Sequence, residues 1–303
     1  MFQAIAANRA KTTLIVAVIF VFFVAVVYFI SYFLLEFGHF SIVFAVLLSF
    51  AISFGAYWNS HKIVLRLHKA RPATPQQDAK LKNILEGLCI AAGMPKPALY
   101  VMDDPALNAF ATGRNPKNGV ICVTTGLLDK LDYYQLEGVV AHELAHIKNY
   151  DILLQTVAGI MIGAVVIASN FAARMMFFRG GGRSRSSGGR GGGAGMLIIM
   201  AIGIIFMILA PIAGSLLKML LSRNREFLAD ATGAAMTRNP EGLASALETI
   251  GGSRIPFEKA NDATEGLYIV TPISQLGSQR RNSNLFSTHP PIEKRVEALR
   301  NLR

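Results

Sequence analysis

Two long runs of apolar residues dominate the first sixty positions of the chain. Residues 13–35 and 40–58 contain no charged side chain, and a bilayer is crossed by about 20 residues of helix. No small-residue cleavage site follows the first run, which argues against a signal peptide. We therefore expect an N-terminal membrane hairpin within residues 1–60. Two buried core helices of a soluble protein are the alternative.

Basic residues flank this predicted hairpin at its two outer ends. Arg9 and Lys11 precede the first run, whereas the link at residues 36–39 contains neither Lys nor Arg. The basic residues that follow the second run are Lys62, Arg66, Lys69 and Arg71. The positive-inside rule then places both flanks in the cytoplasm and the short link outside.

A second pair of apolar stretches follows at about 151–173 and 195–217. Residues 174–194 between them are rich in Gly, Arg and Ser, a composition typical of a flexible linker. We expect a second membrane hairpin within 151–221, because both stretches exceed the length of a span. The arginines of the linker would then lie outside, against the positive-inside rule, and partial entry into the membrane is the alternative.

The segments around these hairpins carry the signals of a small cytoplasmic unit with helices and strands. In residues 61–150 a helix is predicted to begin at Thr74-Pro75 and to end near Gly93. The predicted strands are 98–102, 106–113 and 119–124. The turn at 115–119 pairs the last two strands as a hairpin. Residues 222–303 complete this unit with helices.

Composition agrees with a membrane protein. The chain is 52% hydrophobic and only 16% charged, which is too apolar for an ordinary soluble protein. The net charge of +11 alone fits either nucleic acid or anionic lipid as a partner. The Arg/Gly run at 179–193 within the linker has no interleaved aromatic residues to stack on bases, so we expect no nucleic acid. Cys89 and Cys122 lie in apolar contexts and are interpreted as buried free thiols.

The pattern His142-Glu143-x-x-His146 lies on a helix that is predicted to begin at Asp132, with Gln135 completing a capping box. Residues four apart share one face of a helix, so the two imidazoles can bind one zinc ion. Glu143 can then activate a water molecule on the metal. Two surface histidines beside a chance glutamate are the alternative.

A catalytic zinc needs a third protein ligand, and Glu226 is the best-placed candidate. His146 lies five residues before the third apolar stretch, and Glu226 lies five residues after Leu221. Five residues of helix rise about 7.5 Å. A membrane hairpin would therefore present both side chains at equal height above the membrane. An ordinary exposed glutamate is the alternative.

The remaining histidines are less suitable ligands. His39 lies outside in the predicted topology. His61 and His68 lie in the basic segment after the second run, where we expect them to face solvent or lipid. Together with the metal-binding motif, these observations predict an α+β membrane protein that is mostly helical. It has about four transmembrane helices and a zincin-like cytoplasmic domain with a small mixed sheet.

Four motifs in this order resemble those of the HtpX-type membrane zinc metalloproteases, which are relatives of the CAAX prenyl endopeptidases. The motifs are residues 108–113 (NAFATG), 142–146 (HELAH), 222–230 (SRNREFLAD) and 288–291 (THPP). The resemblance covers nearly the whole chain, and no metal position departs from the pattern. The Arg/Gly linker is the stretch without a clear match.

The resemblance implies a gluzincin that holds one Zn²⁺ per subunit through His142, His146 and Glu226. Glu143 would activate the water and later protonate the leaving amine. It further implies that Asp230 orients a ligand histidine, with Asp151 as a second candidate, and that His289 stabilises the oxyanion. A histidine that merely precedes the terminal helix is the alternative for His289.

The resemblance also implies the substrates and the location. The substrate backbone would add as a strand along Asn108, Ala109, Phe110, Ala111, Thr112 and Gly113. The substrates would be misfolded or damaged membrane proteins in extended conformation, cut at the cytoplasmic face of the plasma (inner) membrane as part of stress-related quality control. Self-cleavage is also implied. A transporter, or a membrane-tethered scaffold or RNA-binding protein with a dead or structural zinc site, are the competing functions.

Overall fold

A computed structural model of the chain describes residues 2–33, 35–156, 223–257, 265–270 and 289–302, together with scattered positions between 159 and 174. The predicted second membrane hairpin and its Arg/Gly linker lie almost entirely outside these described residues. The fold is mostly helical, with one small mixed sheet.

Two long helices form the N-terminal part. Helix α1 spans Phe2–Phe33 and helix α2 spans Ser41–Leu67. Within Gly38–Leu67, the most apolar 18 residues have a mean hydropathy of 2.1, and this helix is the one described stretch that is long and apolar enough to cross a membrane. Only 22% of this apolar stretch is buried inside the protein, whereas a core helix of a soluble protein is mostly buried. In α1 the apolar part is shorter, Val16–Tyr32.

The second helix continues beyond the predicted end of the span and packs on the sheet. Val64 and Leu65 are buried in a cluster that includes Phe110 of the sheet. His68 directly follows the helix and is fully buried, with its ring 5.3 Å from that of Phe110 and 5.6 Å from that of Tyr268. The prediction that His68 faces solvent or lipid is therefore wrong. The end of α2 packs on the sheet, so His68 is buried between Phe110 and Tyr268.

The sheet has four strands in the order β1-β2-β4-β3. The strands are β1 (Arg71–Pro72), β2 (Ala98–Met102), β3 (Ala109–Gly113) and β4 (Gly119–Thr124). Strand β2 is parallel to β4, whereas β3 is antiparallel to β4 and forms the edge of the sheet. The mixed sheet and its hairpin are as predicted. The two-residue strand β1, which pairs with β2, was too short to predict.

Strand β3 begins three residues later than predicted and ends at a glycine that the turn requires. The Thr124 hydroxyl donates to the carbonyl oxygen of Ala106 at 2.6 Å and lies 3.1 Å from that of Asn108, which fixes the chain before the strand. Gly113 has φ +138, and a Cβ atom there would lie 2.3 Å from the carbonyl oxygen of Asn118. Only glycine fits that conformation and that space.

The remaining helices pack around one central helix. They are α3 (Pro75–Ala92), α4 (Thr125–Lys130), α5 (Tyr133–Lys148), α6 (Arg223–Thr237), α7 (Pro240–Gly252) and α8 (Ile292–Arg300). Helix α5 contacts the sheet, α6 and α7. The predicted capping box of Asp132 and Gln135 is present at its start. Helix α5 carries the predicted metal-binding pattern, so the candidate site lies at the centre of the fold.

Candidate metal centre

Two histidines on α5 point one ring nitrogen each at the same place. His142 is fully buried and His146 is 5% exposed. Their Nε2 atoms lie 3.1 Å apart, as the four-residue spacing on one helix face predicts. Two neutral imidazoles in this arrangement offer two lone pairs to a single metal ion.

Helix α6 brings Glu226 to the two histidines. One carboxylate oxygen, Oε1, lies 3.6 Å from Nε2 of His146, and the other, Oε2, lies 3.8 Å from Nε2 of His142. The close approach of α6 to α5 depends on Gly233, since a Cβ there would lie 3.1 Å from the backbone nitrogen of His142. Donor atoms of one tetrahedral zinc at about 2.0–2.1 Å lie about 3.3 Å apart, so the three residues fit that ion.

The other nitrogen of each histidine faces a carboxylate. Nδ1 of His142 lies 2.9 Å from Oδ1 of Asp230, and Nδ1 of His146 lies 3.1 Å from Oδ2 of Asp151. Donation of Nδ1–H to a carboxylate leaves Nε2 with its lone pair free for a metal and fixes the ring orientation. The structure therefore places Asp230 and Asp151 in equivalent positions, although Asp151 was the weaker candidate from the sequence.

Arg295 on α8 is a buried cation beside this centre that sequence analysis missed. It is 1% exposed. Its Nε and Nη2 atoms donate to the two oxygens of Asp230 at 2.8 and 2.7 Å, and Nη1 donates to the carbonyl oxygen of Ile269 at 2.9 Å. Nη1 also lies 3.6 Å from Oε2 of Glu226. One guanidinium thus connects two carboxylates of the site.

The position of Arg295 on its helix was the available signal. The apolar stripe of α8 consists of Ile292, Val296 and Leu299. Arg295 lies three residues after Ile292 and four before Leu299, which places it on the same helix face. An arginine on a buried face needs a carboxylate partner. Asp230, the last residue of the motif at 222–230, would have been the candidate.

His289 lies against the third candidate ligand. It is 8% exposed, and its Nδ1 lies 3.0 Å from Oε2 of Glu226. Burial by itself raises the pKa of Glu226, but the charge and hydrogen bond of His289, together with His146 and Arg295, hold that pKa well below its usual range. The structure thus brings His289 into the site, where it supports the ionised form of Glu226.

Glu143 stands out as a buried carboxylate without ordinary partners. It is 1% exposed, and its two oxygens accept no hydrogen bond of normal geometry from the described residues. Burial raises its pKa to about 8, against the opposing charge of His146 and the backbone N–H of Ala111 on β3. A buried acid of this kind is a recognised feature of proton-transfer sites.

The two histidines differ in their protonation. Burial lowers the pKa of His142 to about 4, and the hydrogen bond to Asp230 only partly opposes this. Burial also lowers the pKa of His146, but the hydrogen bond to Asp151 and the charge of Glu226 outweigh it and raise that pKa to about 9. In the metal-free protein at neutral pH, His146 therefore carries the proton that a metal would displace.

The predicted substrate strand lies at the sheet edge beside Glu143, and the chain itself covers part of it. The Ile269 N–H donates to the Ala109 carbonyl oxygen at 3.0 Å, and the Asn108 side chain donates to the carbonyl oxygen of Val270 at 3.0 Å. Backbone groups alternate in direction along a strand. Those of Ala111 therefore face the same edge as those of Ala109, level with Glu143.

Comparison with known proteins assigns the chain to a family. Residues 75–303 match the sequence model of Peptidase family M48. The chain belongs to peptidase family M48. Protease HtpX homologs from Dictyoglomus thermophilum and Streptococcus pneumoniae are 47% and 38% identical to it over 300 and 302 residues. These alignments cover 99% and 100% of this chain, and 94% and 100% of the relatives.

The fold of this chain is similar to that of a protein with a solved structure. The crystal structure of S. mikatae Ste24p matches with a TM-score of 0.54 and 15% identity, over 97% of this chain and 66% of that longer one. This likeness concerns the fold alone. The resemblance to HtpX-type proteases that the motifs indicated is confirmed by the family and its relatives. Neither a transporter nor an RNA-binding scaffold is supported by these matches.

Proposed function

We propose that this M48 protein is a zinc endopeptidase of the gluzincin type, with one zinc ion per subunit. The observation that carries the proposal is the convergence of His142, His146 and Glu226 around one point, beside the buried carboxylate of Glu143. Among the described residues, these three ligands are the only group of His, Cys, Asp or Glu side chains close enough to share a metal. A structural zinc would need a fourth protein ligand, whereas a catalytic zinc keeps that position for water.

The surrounding residues have separate tasks in this proposal. A zinc ion held by the three ligands would lower the pKa of a bound water and polarise the peptide carbonyl. Glu143 accepts the proton of the water and returns it to the departing amine, a role that suits an acid with a pKa raised toward neutrality. His289 faces the carbonyl oxygen as it gains negative charge. Asp230 and Asp151 hold the ligand imidazoles in the required orientation.

The substrate is proposed to bind as an additional strand on β3, in extended conformation. The Asn108 side chain and the Ala109 carbonyl already bond to residues 269–270. The stretch that we assign to the substrate is Ala111 to Gly113, which follows this bonded part of the strand and begins beside Glu143. Recognition through backbone groups makes the enzyme selective for extended chain rather than for one side chain.

The proposed setting is the plasma (inner) membrane, in a multi-pass protein whose catalytic domain faces the cytoplasm. The apolar segment Gly38–Leu67 and its basic flank support this setting. The proposed substrates are misfolded or damaged membrane proteins, cut as part of stress-related quality control, and the chain itself is a further substrate. These points rest on the resemblance to HtpX-type proteases.

The test is cleavage of casein and of the chain itself by the purified full-length protein in detergent. We expect cleavage to stop with a zinc chelator and in Glu143→Gln, while Glu143→Gln keeps about one zinc per chain by elemental analysis. Glu226→Gln should lose the metal. Glu137→Gln, on the same helix, is the control and should remain active. Chelator-insensitive cleavage, or full activity of Glu143→Gln, would refute the proposal; zinc retained by Glu226→Gln would move the third ligand to His289.

A further inference from the structure

Strand β3 runs alongside the end of α2. At one end, the ring of Phe110 lies 5.3 Å from that of His68, just past α2. At the other end, the guanidinium carbon of Arg114 lies 4.0 Å from the ring centre of Trp58. The helix rises about 15 Å from position 68 back to position 58. The chain from 110 to 114, which is most of β3 and the residue after it, covers about 13 Å, so strand and helix run side by side in opposite directions.

The contact at Trp58 fixes the level of the strand relative to the bilayer. Tyr57 and Trp58 close the apolar run of α2, and such aromatic side chains lie at the membrane–water interface. Arg114 directly follows Gly113, the last residue of β3, and it also lies 5.9 Å from the ring centre of Tyr57. The Gly113 end of the strand therefore lies at the height of the lipid head groups.

Three basic residues belong to the elements that meet at this level, and we call Lys62, Arg114 and Lys117 the basic patch. Lys62 follows Trp58 by one turn of α2, and Lys117 is an exposed residue of the turn between β3 and β4. His61 is within electrostatic reach of both Lys62 and Arg114. Within the part of the chain that the structure describes, no ion pair joins the basic patch to an acidic side chain.

We propose that the basic patch binds the phosphate groups of anionic lipids and thereby holds the open end of β3 against the membrane surface. Three basic charges that have no acidic partner among the described residues, on elements that carry interfacial aromatic rings, complement a negatively charged leaflet. Arg114 contributes twice, since its guanidinium stacks on Trp58 and carries a positive charge at the head-group level.

This contact sets the direction from which a substrate chain reaches the edge of β3. The Ala109 end of the edge is closed by residues 267–270, whereas the Gly113 end meets the bilayer. A chain that leaves the membrane can therefore pair with Gly113 and Ala111 within about 10 Å of the lipid surface, a span of three strand residues. This consequence rests on the proposed protease function, but the lipid contact itself does not.

Trp58 is the only tryptophan of the chain, so its fluorescence reports on the basic patch. The full-length protein, in a Glu143→Gln background that prevents self-cleavage, is reconstituted into vesicles with brominated phosphatidylglycerol or brominated phosphatidylcholine at the same mole fraction. We expect the anionic lipid to quench Trp58 at least about twofold more strongly. The ratio should fall to one in Lys62→Gln/Arg114→Gln/Lys117→Gln. It should stay unchanged in Lys82→Gln, an exposed lysine on α3.

Further measurements separate lipid binding from the effect of Arg114 stacking and from binding of free phosphate. Lys62→Gln/Lys117→Gln, which keeps the Arg114 stacking, should give an intermediate ratio. Inorganic phosphate should act no more strongly than sodium chloride of equal ionic strength, and specific competition by phosphate would refute the assignment to a lipid surface. Equal quenching by both lipids in the parent protein, or an unchanged ratio in the triple variant, would also overturn the proposal.

A cleavage assay tests whether substrates reach the edge of β3 from the membrane. In the active enzyme, the triple variant should cut a membrane-anchored peptide several-fold more slowly than the parent, and the same peptide free in solution at the parent rate. Equal loss on both peptides would contradict a role of the basic patch in substrate entry. Absence of cleavage of either peptide by the parent enzyme would instead contradict the proposed function, and the quenching ratios would stand.

Discussion

Replacement of Arg295 by methionine tests whether the buried guanidinium holds the metal centre together. Methionine keeps most of the side-chain volume and removes the charge. The variant leaves Asp230, which is 2% exposed, without its bidentate partner and leaves the Ile269 carbonyl without its donor. Removal of one partner from a buried ion pair costs about 3–5 kcal/mol, since the remaining charge is uncompensated.

The assay is thermal unfolding in detergent, followed by circular dichroism with a chelator present so that metal binding does not contribute. One kcal/mol shifts Tm by about 2–4 °C in a domain of 150–250 residues, so Arg295→Met should lower Tm by roughly 6–20 °C. Asp230→Asn/Arg295→Met should recover a large part of this loss, because the side chain at position 230 then carries no charge and Glu226 keeps His146 and His289 as partners.

Arg300 provides the matched control on the same helix. It makes similar ion pairs, at 2.8 Å to Glu241 and 2.9 Å to Glu248, but all three side chains are exposed to water. Exposed pairs contribute little to stability because water and salt screen them, so Arg300→Met should shift Tm by only a few degrees. An Arg295→Met shift no larger than that of Arg300→Met, or a double variant as unstable as the single one, would refute the role given to the buried pair.

Three further predictions follow from the site and the sheet. In the metal-free protein the pKa values of His146 (about 9) and Glu143 (about 8) exceed their usual values of 6.5 and 4.5. The folded state then holds more protons than the unfolded state, so Tm should fall as the pH rises from 6.5 to 8; a rise would contradict these shifts. Asp151→Asn should weaken zinc binding about 10–100-fold in competition with a chelating dye, since His146 loses its Nδ1 acceptor; Asp129→Asn, on α4, is the control. Gly113→Ala should destabilise the fold by about 1–3 kcal/mol in thermal unfolding, whereas Gly87→Ala, where a Cβ meets nothing within 4 Å, should not.

Local sequence patterns were sufficient for the elements that hold the ligands. The capping box at Asp132 and the four-residue spacing of His142 and His146 depend on residues within one helix, so they could be predicted from the sequence. The hairpin of β3 and β4 was also predictable, because a short turn joins its strands. The choice of Glu226 needed a physical argument about height above a membrane, and the structure places it beside both histidines.

Contacts between distant parts of the chain could not be predicted in the same way. His68 was expected in solvent or lipid because it lies in the basic segment after the second apolar run, yet it lies against Tyr268, 200 positions away. The pairing of residues 268–270 with β3 also spans about 160 positions, and no local pattern indicates it. Arg295 was overlooked because its partners, Asp230 and the Ile269 carbonyl, belong to other segments.

These long-range contacts meet at one side chain. Arg295 binds Asp230, which orients His142, and it also binds the carbonyl of Ile269, whose N–H bonds to Ala109 on the substrate edge. The guanidinium is planar and rigid, so it fixes the Ile269 carbonyl and the Asp230 carboxylate relative to each other. The edge that is proposed to hold the substrate and the ligands that are proposed to hold the zinc are therefore set at a constant separation. Peptide hydrolysis needs this constancy, because a displacement of about 1 Å between bound substrate and catalytic groups can cost a hundredfold in rate.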